Sequence, residues 1–250
     1  MTEWVIRRHD LRQPISGNIE ELTGKSIVRV TRRSKYLLLS INDGSTLLIH
    51  LGMSGSLRLT DPAEAWKKHD HVGITLGNGK QLRFHDPRRF GLVLRLMEKD
   101  PLSHDLLKNL GPEPLEGDFT LAYLKKKCMS RSAAIKLVVM DAKIVVGVGN
   151  IYASESLFRA GISPASPANK ITKPRLGKLV ASIREVLAAA IEEGGTTLRD
   201  FLNSEGKPGY FQQRLFVYGR QGEPCRVCGG LIRHAVLGQR ATFWCPVCQK

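Results

Sequence analysis

Four cysteines near the C-terminal end constrain the fold of this chain more than any other feature. They are Cys225, Cys228, Cys245 and Cys248, and their spacing is C-x2-C-x16-C-x2-C. Such spacing is typical of a four-cysteine zinc ribbon, in which two tight turns bring four thiolates to one metal ion. Because cysteine fills all four positions, none stays open for water, and we predict one structural Zn²⁺.

The charge of the chain indicates a polyanionic partner. The 38 Lys and Arg residues exceed the 23 Asp and Glu residues, which gives a formal net charge of +15. Nucleic acid is the leading candidate because each phosphate that a cation neutralises releases condensed counterions. The other interpretation is a charge that serves solubility alone. No apolar run approaches the ~20 residues of a membrane helix, and no secretory signal is visible, so we expect a cytoplasmic protein without a membrane partner.

The first hundred residues have the pattern of an antiparallel β-sandwich. Seven short runs rich in Val, Ile and Leu are separated by turn residues, and the sequences at 42–44 and 77–79 are typical of hairpin turns. The runs cover residues 26–30, 36–41, 46–51, 56–59, 71–76, 81–85 and 91–96.

The pattern changes to a helical one after a cluster of breakers at residues 110–114. We predict a helix that Asp118 or Thr120 caps, a second from near Ser132, a third over 150–160, and a long fourth helix that begins at Thr172. The fold class is therefore α+β with several domains: a sandwich over 1–112, a helical domain over 118–204, and a connection with the zinc hairpin over 205–250.

Three stretches carry residues suited to binding nucleic acid, and each also has a plain structural interpretation. The glycine-rich turn before Asn150 could bind phosphate at a helix N-terminus, or simply join two helices. The sequence Asp-Pro-Arg-Arg-Phe-Gly at 86–91 could insert a ring into a base stack, or be a basic loop with a buried Phe. Arg240, near the tip of the zinc hairpin, could enter a groove, or be a solvated turn residue.

Together these segments closely resemble the bacterial formamidopyrimidine-DNA glycosylase family. The similarity runs from about Val5 to Lys250, and its most specific motifs are RRSKYLLL, HLGMSGSLR, DPRRFG, VGVGNIYASESLFRAGI, GKPGYF and QRATFWCPVCQK. The resemblance implies a β-sandwich, a helix–two-turns–helix domain and a C-terminal zinc finger. It also implies a monomeric, nucleoid-associated enzyme that removes oxidised purines such as 8-oxoguanine from duplex DNA and cuts the strand by β,δ-elimination.

The resemblance assigns roles to individual residues of this chain. Lys35 matches the lysine of proton transfer in β-elimination, and Arg240 matches the zinc-finger arginine of δ-elimination and phosphate binding. Met53, Arg88 and Phe90 match the residues that fill the gap left by a flipped base. The other DNA-binding positions are His69, Arg131 and Asn150, together with Lys207 and Tyr210 in the loop that closes on the lesion.

One departure concerns the nucleophile. The family begins with a proline, whose amine attacks the sugar, followed by a glutamate that acts as acid, and neither matches the start Met1-Thr2-Glu3. We favour a start codon placed too far downstream over a true truncation or a degenerate relative, because the other functional residues are intact. We expect the 250-residue chain to form a Schiff base poorly.

Two other functions are kept as alternatives. The chain could be a non-catalytic, zinc-containing protein that binds damaged DNA. It could also belong to the endonuclease VIII branch, which acts on oxidised pyrimidines. The GKPGYF motif and the Met53, Arg88 and Phe90 trio favour the purine branch.

Overall fold

A computed structural model describes residues 3–6, 15–16, 19–194 and 215–250 of the chain. The described residues divide into two compact units, one up to residue 108 and the other over 109–194 and 215–250. Among the helices of the described residues, none combines the length and the apolar character needed to span a bilayer.

The first unit contains two β-sheets. The four-stranded sheet has the order β1-β7-β8-β6, and the five-stranded sheet has the order β2-β9-β5-β4-β3. The strands are β1 (Glu3–Ile6), β2 (Ile15–Ser16), β3 (Ile27–Arg33), β4 (Tyr36–Ile41), β5 (Thr46–His50), β6 (Ser56–Thr60), β7 (Asp70–Thr75), β8 (Gln81–His85) and β9 (Leu92–Leu96). All seven predicted strands are present, and the two hairpin turns join β4 to β5 and β7 to β8.

The two sheets bury one shared apolar core. Leu39, Ile49 and Val93 of the five-stranded sheet lie in one cluster with Ile74 and Phe84 of the four-stranded sheet. This common core confirms the predicted sandwich, since the inner faces of two sheets interdigitate in such a fold. One detail departs from the expected antiparallel order: β2 runs parallel to β9.

The second unit is built on four α-helices. They are α1 (Leu121–Met129), α2 (Ile135–Met140), α3 (Asn150–Arg159) and α4 (Lys173–Glu192). Thr120 caps α1, because its side-chain oxygen accepts a hydrogen bond of 3.1 Å from the backbone N–H of Tyr123. Gly161 follows α3 with a φ of +69°, the left-handed conformation that ends many helices at a glycine.

The helices enclose a second apolar core. Leu124, Val139, Leu157 and Ile183, one from each helix, are all fully buried in it. Cys128 lies in the same cluster, and burial raises the pKa of its thiol to about 11. The neighbouring lysines therefore do not activate this cysteine, and it serves as a core residue.

The same unit carries the C-terminal hairpin. Its strands are β10 (Arg233–Leu237) and β11 (Arg240–Trp244), which pair antiparallel from Arg233 opposite Trp244 to Leu237 opposite Arg240. Gly238 and Gln239, which connect the strands, both have positive φ. Arg240 therefore begins the second strand directly after the turn, as the sequence predicted.

Candidate nucleic-acid interface and metal centre

The four C-terminal cysteines converge on one point. Their sulfur atoms all lie within 4.8 Å of one another, with 3.9 Å between Cys225 and Cys248 and 3.4 Å between Cys228 and Cys245. A tetrahedral zinc ion with Zn–S bonds of about 2.3 Å requires sulfur atoms about 3.8 Å apart. The donor set and its spacing therefore fit one Zn²⁺.

The loops around the cysteines form turns that direct N–H groups at sulfur. Val227 donates a backbone hydrogen bond to Cys225 Sγ at 3.4 Å, and Cys248 donates one to Cys245 Sγ at 3.5 Å. Burial and the neighbouring thiols raise the pKa of Cys248. Four thiolates can therefore coexist here only with a cation between them, and a bound zinc ion supplies that cation.

Near its turn, the hairpin is tied to the helices through the carbonyl group of Ala241. Lys136 Nζ donates to the Ala241 oxygen at 2.9 Å, and Asn150 Nδ2 donates to the same oxygen at 3.0 Å. Asn150 Nδ2 also contacts the Tyr218 hydroxyl oxygen at 3.2 Å. Because Ala241 follows Arg240, the structure places two of the candidate DNA-binding residues, Asn150 and Arg240, beside one another.

Tyr218 is held in turn by a buried carboxylate. Glu155 on α3 is 2% exposed, and its two oxygens accept backbone hydrogen bonds from Phe216, Val217 and Tyr218 at 2.8 to 3.0 Å. Hydrogen bonds to an ionised acceptor are stronger than neutral ones. Glu155 therefore fixes the segment before the zinc finger against the helix that begins with Asn150.

In the first unit, two loops that carry candidate residues pack directly on each other. Gly52 has a φ of +65°, and a Cβ atom there would lie 2.7 Å from backbone atoms of both Phe90 and Gly91. Only glycine permits this approach. The contact joins the loop over 51–55, which carries Met53, to the loop over 86–91, which carries Arg88 and Phe90; we call them the paired loops.

The paired loops expose side chains of the kind that can enter a base stack. Met53 is 60% exposed and Phe90 is 37% exposed. The Arg88 guanidinium carbon lies 5.5 Å from the centre of the Phe90 ring. This arrangement contradicts the alternative of a basic loop with a buried Phe.

Asp86 connects the paired loops and the segment around His69. Its carboxylate accepts a hydrogen bond of 2.6 Å from the Gly91 N–H and a longer one of 3.4 Å from the Ser54 hydroxyl. Its N–H donates to the His69 carbonyl at 2.9 Å. His71 Nε2, which is fully buried, donates to the Asp86 carbonyl at 2.8 Å.

Lys35 lies in the tight turn between β3 and β4 and is exposed. Burial lowers the pKa of His50, and the positive charge of Lys35 lowers it further. His50 Nδ1 accepts a hydrogen bond of 3.0 Å from the Gly52 N–H, so His50 connects the surroundings of Lys35 with the paired loops. The first unit thus brings Lys35, Met53, His69, Arg88 and Phe90 into one continuous network of loops.

Arg131 follows α1 and donates to the Lys127 carbonyl, while its own carbonyl accepts from the Asn169 N–H at 2.9 Å. Lys207 and Tyr210 lie outside the described residues.

Three residues of these networks escaped sequence reasoning: Lys136, Glu155 and His50. His50 and Glu155 lie inside two of the quoted motifs, whereas Lys136 lies in none of them. The signal for Lys136 and Glu155 is a charged residue on the apolar face of a helix, which is informative only once the buried partner is known.

The chain is similar to known proteins along most of its length. Models of the formamidopyrimidine-DNA glycosylase N-terminal domain and of its H2TH domain match residues 2–93 and 110–202, and a model of the zinc finger found in FPG and IleRS matches 222–250. The formamidopyrimidine-DNA glycosylase of Xanthomonas campestris pv. campestris (strain 8004) is 53% identical over 247 residues, which cover 98% of this chain and 90% of the relative. The chain belongs to the formamidopyrimidine-DNA glycosylase family.

Solved structures of the family support the same assignment. A complex of Lactococcus lactis Fpg with DNA that contains an abasic site is 34% identical, with a TM-score of 0.92, and the match covers 100% of this chain and 92% of the other. A complex of L. lactis Fpg with DNA that contains Fapy-dG is 33% identical, with a TM-score of 0.91 and the same coverage. Membership confirms the α+β fold with a sandwich, an H2TH domain and a zinc finger.

Proposed function

We propose that this chain is a DNA glycosylase and abasic-site lyase that removes oxidised purines from duplex DNA. The observation that carries the proposal is the pair of packed loops, which hold Met53, Arg88 and Phe90 on one exposed ridge. A base inside a duplex is out of reach of an enzyme, so it must be extruded, and the gap must be filled. A thioether and a ring supported by a guanidinium are suited to that task.

The roles of the site residues follow from their chemistry. Arg240 and Asn150 bind backbone phosphate beside the lesion, Arg131 and His69 contact the strand, and the positive charge of Arg240 stabilises the phosphate that leaves in δ-elimination. The Lys35 ammonium is exposed and transfers a proton during β-elimination. The family resemblance assigns Lys207 and Tyr210 to contacts with the extruded base.

The zinc ion has a structural role in this scheme. Cys225, Cys228, Cys245 and Cys248 would hold it and would leave no position open for water, so it would stabilise the hairpin that carries Arg240 and supply no chemistry of its own. A monomer that works at the nucleoid in the bacterial cytoplasm is consistent with a substrate that is chromosomal DNA.

The proposal is tested by excision from two duplexes in competition, one with 8-oxoguanine and one with thymine glycol. In the family, an N-terminal proline and the glutamate after it supply the nucleophile and the acid. The assay therefore compares the chain itself with the chain preceded by a family-type segment that begins with those two residues. We expect the second polypeptide to release 8-oxoguanine at least about tenfold faster than thymine glycol.

The other outcomes separate the alternatives. Faster release of thymine glycol would place the chain in the pyrimidine branch. Selective binding of damaged duplex without release by either polypeptide would make it a non-catalytic damage-binding protein.

A further inference from the structure

The second unit buries a lysine that the scheme above does not use. Lys136 on α2 is 0% exposed, and its ammonium donates to two neutral acceptors, the Ala241 carbonyl at 2.9 Å and the Thr242 hydroxyl at 2.7 Å. No carboxylate forms an ion pair with Lys136 among the ion pairs of the described residues. Burying an ammonium without a counterion is costly, and an apolar residue could fill the same space.

The hydrogen bonds of Lys136 continue to Arg240. The Thr242 hydroxyl, which accepts from Lys136, donates to the Arg240 carbonyl at 3.0 Å. The next carbonyl, that of Ala241, accepts from both Lys136 and Asn150. The Lys136 ammonium therefore fixes two successive carbonyl groups, that of Ala241 directly and that of Arg240 through the Thr242 hydroxyl.

Electrostatics adds a second effect. Burial and, to a smaller extent, the positive charge of Arg240 lower the pKa of Lys136 to about 8, and the second cause places the two cations close together. Two neighbouring cations repel one another, and an anion between or beside them relieves the repulsion. A phosphate at Arg240 is such an anion.

We propose that Lys136 is a positioning residue for Arg240: through Thr242 and the Ala241 carbonyl it holds the Arg240 backbone in the orientation that meets a DNA phosphate. This inference rests on the proposed function for the identity of the anion. Lys136 itself stays buried and touches no DNA.

The test is a double-mutant cycle on the full chain. The affinity for a duplex with a tetrahydrofuran abasic analogue, and for the undamaged duplex, is measured by fluorescence anisotropy at several salt concentrations. The variants are Lys136→Met, Arg240→Ala and the double substitution. Lys178→Met, an exposed lysine of α4, is the control for the loss of one positive charge.

We expect Arg240→Ala to weaken binding about tenfold and to reduce the slope of log K against log salt by about 0.9, the value for one phosphate contact. Lys136→Met should reproduce most of both effects. In the Arg240→Ala background, Lys136→Met should change affinity by less than about twofold, because it acts through Arg240. Lys178→Met should leave the slope unchanged.

Two results would overturn the inference: a double variant whose loss equals the product of the two single losses, or a Lys136→Met variant with the salt slope of the unmodified protein. If Lys136→Met loses its zinc or does not fold, Thr242→Val decides. Thr242→Val keeps the hydrogen bond from Lys136 to Ala241 but removes the hydroxyl that links Lys136 to the Arg240 carbonyl, so it should lower the salt slope. Thr242→Ser keeps that hydroxyl and should retain the slope of the unmodified protein. Equal slopes for the two variants would contradict the link through Thr242.

The same data distinguish failure of the inference from failure of the proposed function. If the unmodified chain binds both duplexes equally, the function is wrong. The coupling between Lys136 and Arg240 is then still obtained from the affinities of the variants for the undamaged duplex.

Discussion

At the residue scale, Asp86 determines whether the paired loops form one surface. Its carboxylate is fully buried and accepts the short bond from Gly91, while Ser54 of the other loop approaches it at 3.4 Å. Met53 is next to Ser54, and Phe90 is next to Gly91. The relative placement of these exposed side chains therefore depends on a carboxylate that never reaches the DNA.

Asp86→Asn tests this dependence with almost no change in side-chain size. The substitution removes the charge of the carboxylate that accepts the hydrogen bond from the Gly91 N–H. Hydrogen bonds to charged groups contribute about 1.5–3 kcal/mol. We expect the free energy of unfolding in urea to fall by that amount. We also expect a 2-aminopurine next to an abasic site to unstack less on binding.

Ser54→Ala is the matched control for Asp86→Asn. It removes only the longer bond, so its loss of stability should stay below about 1 kcal/mol. A variant Asp86→Asn with unchanged stability and an unchanged 2-aminopurine signal would show that the loops are organised without Asp86.

At the scale of elements, the zinc hairpin depends on its metal more than the helices do. Its apolar cluster contains few residues, Cys225 and Cys245 among them, whereas the helical core contains a much larger set. We expect a zinc chelator, or Cys228→Ser, to unfold the hairpin, to change the fluorescence of Trp244, and to weaken DNA binding at least about tenfold, since Arg240 is lost with it. The far-UV helical signal should remain.

Cys128→Ala is the control for the zinc prediction, because this cysteine lies in the helical core and outside the metal cluster. Bound zinc is counted by mass spectrometry for each variant. If a variant loses its zinc and keeps its full affinity for damaged DNA, the hairpin does not contribute to DNA binding.

The sequence predicted these elements well where the signal is local. The strands at Tyr36–Ile41 and Gln81–His85 follow from short apolar runs between turn residues, and the Thr120 cap follows from capping rules; both signals need only neighbouring residues. The short strand Ile15–Ser16 gave no such signal, because its partner is β9, almost 80 residues further along the chain.

The candidate site was predictable only in part, because some of its residues have partners that lie far away along the chain. Motifs identified the residues that meet DNA, such as Arg88 and Arg240. The residues that hold them, Lys136 and Glu155, acquire their roles from backbone groups 105 and 61 to 63 residues away. No local pattern encodes such a partner.

At the scale of the whole molecule, the cations behind the net charge of +15 divide into structural ones and exposed ones. Some cations are structural: Arg83 is fully buried and donates to backbone carbonyls over 61–65, and Arg95 pairs with Glu21 and Asp43. Others, including Lys35, Arg88 and Arg240, are exposed. Only this exposed set can neutralise phosphates, so the net charge overstates the number of DNA contacts.

The central claim, that the molecule performs amine-dependent glycosylase chemistry on oxidised purines, is tested most directly by borohydride trapping on an 8-oxoguanine duplex. An α-amine with a pKa of ~8 forms a Schiff base at neutral pH far more readily than a lysine with a pKa of ~10.4. The account predicts an abundant covalent protein–DNA adduct for the chain preceded by a proline–glutamate segment and little for the 250-residue chain alone. Absence of the adduct for both polypeptides, under conditions in which both bind the duplex, would contradict it.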